Sequence, residues 1–397
     1  MRILSTIKTF LADILSTACA EARAIIRDEG VLLFVVALPL FYPILYSWIY
    51  NNEVTHEVPV AVVDASHSST SREFVRMYDA SPDVRVAYFC NSLDEARRLV
   101  ASQDINGIVY LPEDMDTRLN RMQPATVSIY CDMSLMLAYK AIYSTATSVA
   151  GIMNSRIQIR LSGNATDRED QISTQPLKYE EVPMFNPTGG YGNFILPGVL
   201  ALILQQTLLL GIGMLYATRN ERRQPFAPAC GTAVGHAFGW FRLMTGRTLC
   251  FLLLYSMLTA YVLLAIPKMF SFVQLLHPGD LVAFVLPYLL ACMFMSMSLG
   301  AVLRQREDVM LVVVFTSVPL LFMSGVSWPQ SNIPAFWRAA ACLFPSTFGI
   351  QGFVKLNTMG AVITDIAPEC KALWIQAGVY FCIAALLLRR MMRRHEG

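Results

Sequence analysis

Charge is scarce in this sequence. Only 15% of its 397 residues are Asp, Glu, Lys or Arg, against roughly 25% in soluble domains, while 55% are hydrophobic. Five histidines and nine cysteines are spread without metal-ligand spacing. The cysteines form no disulfide framework, although a Cys342–Cys370 bridge is one pairing their placement allows. No Gly-x-x-x-x-Gly-Lys-Ser/Thr loop occurs, so ATP phosphates are not bound by that route. Neither a Gly-x-Ser-x-Gly elbow nor His-Glu-x-x-His is present, and the apolar runs almost lack acidic side chains. A proton relay or an embedded hydrolase is left without its groups. The net charge of +2 gives no footprint for nucleic acid.

What is abundant is apolar length. Mainly apolar runs lie near 31–50, 194–217, 248–267, 281–302, 309–326 and 372–388, each long enough to cross about 30 Å of hydrocarbon as a helix. The pattern predicts six spans. Lysines and arginines flank alternate ends: fifteen fall on one side (Arg2 to Arg27, Arg219 to Arg247, Arg304, Arg306 and Arg389 to Arg394). Four fall on the other, Lys268, Arg338, Lys355 and Lys371. That asymmetry places both termini in the cytoplasm of a multi-pass protein, a bacterial inner membrane being the expected setting. The first 30 residues lack the compact apolar core of a cleavable signal.

Residues 1–30 carry an apolar repeat of three to four residues (Ile3, Ile7, Phe10, Leu11, Ile14, Leu15), interrupted by Lys8, Asp13, Glu21 and Arg23. This reads as an amphipathic interface helix, with a helix packed on the bundle as the alternative. Residues 51–185 differ in composition, holding 18 acidic and 12 basic side chains. "VPVAVVD", "DVRVAYF", "NGIVYLP" and "ATVSIYC" read as strands, with helices between them and a longer helix over 135–161. Ser92 and Glu95 make a capping box, and residues 162–180 read as a flexible loop. Strand–helix alternation predicts an α/β domain, at least partly parallel, inserted on the outer side between spans one and two.

Several stretches, taken in order, resemble the type-2 permease subunits of ABC transporters. Glu21, Arg27 and Asp28 fill a Glu…Arg-Asp pattern before the first span. Asn186-Pro187 and "NFILPG" mark the exit of the insert, with Pro197-Gly198 opening the second span. Ser324, Gly325, Pro329, Pro334, Pro345, Ser346 and Thr347 fill a Ser-Gly turn, two prolines and a Pro-Ser/Thr. The first inner loop departs from the family: Glu221 matches, the second glutamate is missing, and Gly246-Arg247 replaces Gly-Lys.

The resemblance implies a dimer of permease copies or paralogues energised by separate P-loop ATPase subunits that carry the ATP-Mg. It implies export of an amphiphilic or lipid-like substrate, with membrane lipids and a periplasmic adaptor as further partners. The ATPase would dock on Glu21, Arg27, Asp28, Glu221, Arg222 and Arg223. A short surface helix around 230–241 would add Phe238 and Phe241. Residues 327–355 are expected to form a re-entrant outer hairpin, with Ser324, Gly325, Pro329, Pro334 and Pro345 shaping an outer gate. Trp328 and Trp337 suit the headgroup level. Gln205 and Gln206, polar inside span two, serve helix–helix hydrogen bonding or a substrate path. A membrane-anchored sensor or assembly scaffold is the competing reading.

Overall fold

The computed structural model describes residues 2–51, 55–162, 166–174, 184–186, 189–222 and 239–396. The chain divides into two compact units, Met1–Glu53 with Pro183–Gly397, and Val54–Val182. It opens with α1 (Arg2–Arg27), which ends where Asp28 caps α2 (Glu29–Tyr50). The periodicity sets Asp13 and Glu21 opposite an apolar face, and the side that carries them, together with Ile25 of the apolar repeat, is the side turned into the bundle. Asp13, Thr17, Glu21 and Ile25, four residues apart, form the buried stripe, while Leu11, Leu15 and Ile26 are exposed. α2 widens into a π turn at Leu33–Ala37, just before Pro39, whose ring crowds the carbonyl four residues back.

The second unit holds β1 (Val58–Asp64), α3 (Ser69–Asp79), β2 (Val84–Phe89), α4 (Leu93–Ala101), β3 (Gly107–Leu111), α5 (Met115–Asn120), β4 (Ser128–Cys131), α6 (Met136–Ser162) and α7 (Asp167–Thr174). The strand order is β2-β1-β3-β4, with β1 parallel to both neighbours and β4 antiparallel to β3. β1 is central, so both its faces are covered: Val60 and Val62 join Phe74, Tyr78 and Ile142, while Ala61 and Val63 join Ala96 and Ile108. Half of the expected capping box forms: Ser92 accepts from Glu95 N–H, but the Glu95 carboxylate accepts from Asn91 N–H. α7 occupies part of the stretch expected as a loop, because Asp167, Glu169 and Asp170 fill its first turn, where acidic side chains favour a helix.

The remaining helices return to the first unit. They are α8 (Tyr191–Glu221), α9 (Gly239–Met269), α10 (Pro278–Val302), α11 (Arg306–Met323), α12 (Ala335–Ala341), α13 (Pro345–Met359) and α14 (Ala367–Glu396). Among the described residues, five helices are long and apolar enough to cross a membrane: α2, α8, α9, α10 and α14. At the fifth expected span, α11 has 18 residues and opens on Arg306, Glu307 and Asp308, so its apolar part begins only at Val309. α8 is the hub, its apolar length wholly buried against α2, α10, α11 and α13. Pro197 lies inside α8 rather than at its start. The glycine-rich "GGYGNF" supplies a close approach: a Cβ on Gly192 would sit 2.8 Å from Tyr50 O. Cys342 and Cys370 are free thiols.

Candidate functional site

At one end of the bundle, α1 is tied down by three arginines from later helices. Glu21, 3% exposed, accepts from Arg219 of α8 through Nη1 at 3.1 Å, with Nη2 closer still, and lies 3.5 Å from Arg247 Nε of α9. Arg247 in turn donates to Tyr216 OH at 3.1 Å. One helical segment earlier, Asp13 Oδ2 accepts from Arg242 Nη1 at 2.6 Å, both side chains being buried. The close approach these pairs need is supplied by Gly246, where a Cβ would stand 2.6 Å from Thr17 Cβ and 2.8 Å from Ile14 O. Burial pushes the Glu21 carboxyl up, and the two guanidiniums with the Arg219 hydrogen bond outweigh it, so Glu21 titrates below the usual carboxylate range.

A second knot joins three helix ends. Asp28 Oδ1 accepts both from Val31 N–H and from Arg306 Nη2, at 3.2 and 2.6 Å. The Arg306 backbone N–H donates to Glu221 Oε1 at 2.9 Å, and Asn220 Nδ2 donates to Leu303 O at 3.2 Å. The starts of α2 and α11 are thereby fixed to the end of α8. Burial raises the Asp28 carboxyl, but the Arg306 and Val31 hydrogen bonds hold it below its ordinary value.

Later in the chain, α12 and α13 follow one another after α11, and both pack against it. Gly325, at φ +94°, turns the chain out of α11. Gln330 and Gln351 both donate to Ser324 O, at 3.4 and 2.9 Å. Pro334 caps α12, and Pro345 sits in the first turn of α13, where its missing N–H costs nothing. The start of α13 reaches the middle of α8: Gln205 Oε1 accepts from Ser346 N–H at 2.6 Å and Gln205 Nε2 donates to Ser346 Oγ at 3.0 Å. Gln206 differs. Its amide is buried with no hydrogen-bond partner among the described residues, seven positions before Gly213, on the stripe that meets Val309 of α11.

The residues singled out by sequence thus separate. Glu21, Asp28 and Glu221 enter the two knots, and Arg27 and Arg222 line the cavity beside them. Phe241 lies in the first turn of α9, its ring against Phe10 and Phe381. Arg223, Phe238 and most of the expected 230–241 helix lie outside the described residues. Asp13, Arg219, Arg242, Arg247 and Arg306 were missed as site residues. Their sequence signal is the flanking charge itself, to which all four arginines belong.

A hub helix with apolar helices packed round it, five of the described helices being long and apolar enough to cross a membrane, points to a multi-pass membrane protein. The chain belongs to the ABC-2 family of transporter proteins, whose sequence profile matches residues 30–386. It is a permease component of an ABC transporter, a transport subunit rather than a catalytic one, and the family implies an ATPase partner. No curated protein matches the chain.

Proposed function

We propose that this permease is the membrane half of an ATP-driven exporter that works as a dimer, with its arginine-rich end in the cytoplasm of a bacterial inner membrane. The observation that carries the reading is the clamping of α1 onto α8 and α9 by Glu21 and Asp13. A helix held by buried ion pairs moves with the helices it is paired to, so a push delivered to α1 reaches the centre of the bundle. The ATPase docks on Arg27, Asp28, Glu221 and Arg222, together with Arg223 and Phe238. Glu21 and Phe241, engaged inside the bundle, transmit. α11 completes six spans, and Val54–Val182 stands on the outer side, where an adaptor can engage it. The α12–α13 pair is a re-entrant hairpin closing the outer end of a dimer-interface path, with Ser324, Gly325, Pro329, Pro334 and Pro345 shaping the gate. The Gln206 amide, without a hydrogen-bond partner among the described residues, suits an amphiphilic substrate as that path opens.

Affinity purification from native membranes tests the reading. A P-loop ATPase should co-purify, and its hydrolysis should be stimulated by substrate. The Gly325→Leu/Pro334→Leu variant should insert normally and lose that transport-coupled stimulation. Absence of any co-purifying ATPase would favour the scaffold reading instead.

A further inference from the structure

A cavity of about 750 Å³ opens between the end of α1, the start of α2, the end of α8 and the start of α11. Five arginines line it, Arg23, Arg27, Arg219, Arg222 and Arg306, against two carboxylates, Asp28 and Glu29. Arg219 is held by Glu21 and Arg306 by Asp28. Arg23, Arg27 and Arg222 are exposed and form no ion pair among the described residues. The rest of the wall is Ala20, Ala24, Gly30, Leu215 and Thr218, whose hydroxyl is turned back onto Met214 O at 2.8 Å.

The depth of this space follows from the helices around it. α2 becomes apolar at Val31, α8 stops being apolar at Ala217 and α11 becomes apolar at Val309. All three change character at the cavity, so its arginines stand where hydrocarbon gives way to headgroups, with an apolar floor on the hydrocarbon side. An occupant must therefore be anionic at one end and apolar at the other. Guanidinium forks match phosphate oxygens in geometry as well as charge. An acidic protein segment would bring unsatisfied backbone groups to that floor.

We propose that the cavity binds the phosphate of an anionic phospholipid headgroup from the arginine-rich leaflet. Arg23, Arg27 and Arg222 are its ligands, and the acyl chains leave past Ala20, Ala24 and Leu215. The inference needs only that the bundle lies in a bilayer. It refines the proposed docking surface by assigning Arg27 and Arg222 to lipid, so it can fail while the transport reading stands.

Full-length protein in detergent is titrated with short-chain phosphatidylglycerol or phosphatidylcholine, and bound lipid is read by native mass spectrometry. One phosphatidylglycerol per chain should outlast phosphatidylcholine. Arg23→Gln/Arg27→Gln/Arg222→Gln should weaken its retention about a hundredfold, and Arg23→Gln alone about fivefold, at the usual contribution of an arginine beside an anionic surface. The single variant keeps the test open if the triple one unfolds. Equal retention of phosphatidylglycerol in the Arg23→Gln variant and the parent chain overturns the proposal. So does inorganic phosphate that displaces the lipid and binds as tightly, which would make this a soluble-phosphate site. Loss of the co-purifying ATPase with lipid retention unchanged would return the arginines to protein docking and overturn it as well.

Discussion

Gln205 and Ser346, 141 positions apart, exchange two hydrogen bonds in the buried centre of the bundle, at 2.6 and 3.0 Å. The amide takes the first free N–H after Pro345 and the hydroxyl beside it, so one side chain on α8 satisfies the start of α13. Replacing it strands both groups where no water reaches. Gln205→Leu should destabilise by about 1–3 kcal/mol, the cost of leaving buried polar groups unmet. A thermal unfolding midpoint in detergent equal to that of the parent chain would show that the tie is dispensable.

The Glu21 cluster should respond asymmetrically to mutation. Glu21→Ala leaves Arg219 and Arg247 buried without their anion, a loss of about 3–5 kcal/mol. Removing all three charges as Glu21→Met/Arg219→Met/Arg247→Met should recover most of that stability, because desolvation of the charges is removed with them. Recovery of stability without recovery of ATPase stimulation would separate packing from transmission. A triple variant no more stable than Glu21→Ala would refute this account of the cluster.

Acid should release α1 late. Glu21 and Asp28 are both held below the ordinary carboxylate range, so their stabilising contribution is complete above their unfolded-state values. It is lost only as pH falls through the depressed folded values. Limited proteolysis near α1 should therefore stay constant from neutral pH down to about 5 and rise only below about 4. Cleavage that climbs between pH 7 and pH 5 would contradict this.

Gly246 sets the distance between α1 and α9. Gly246→Val should force the helices apart and weaken both buried pairs, lowering the unfolding midpoint and uncoupling the ATPase. Gly378→Val is the control, since a Cβ there meets nothing within 4 Å. Matching behaviour of the two variants would place the constraint elsewhere.

Orientation is tested by labelling. In a cysteine-free background, Ser102→Cys and Arg304→Cys should react with a membrane-impermeant maleimide from opposite sides, Ser102→Cys from outside. Labelling of both from one side would remove the proposed topology.

Local pattern determined much of this protein. Apolar length marks the helices of the bundle, apolar runs and capping residues mark the strands and helices of the α/β unit, and Gly325, Pro334 and Pro345 punctuate the α12–α13 pair, because each depends on neighbours a few residues apart. The same logic assigned Asp13 and Glu21 to a polar face, and it could not say that this face is the buried one. That was decided by Arg219, Arg242 and Arg247, which tertiary packing brings opposite α1 across some two hundred positions. Gln205 and Gln206 are adjacent and chemically identical, yet one meets Ser346 and the other meets no hydrogen-bond partner among the described residues. The 100° step between successive helix residues aims them at different neighbours, and only the packed bundle determines which neighbour each one has.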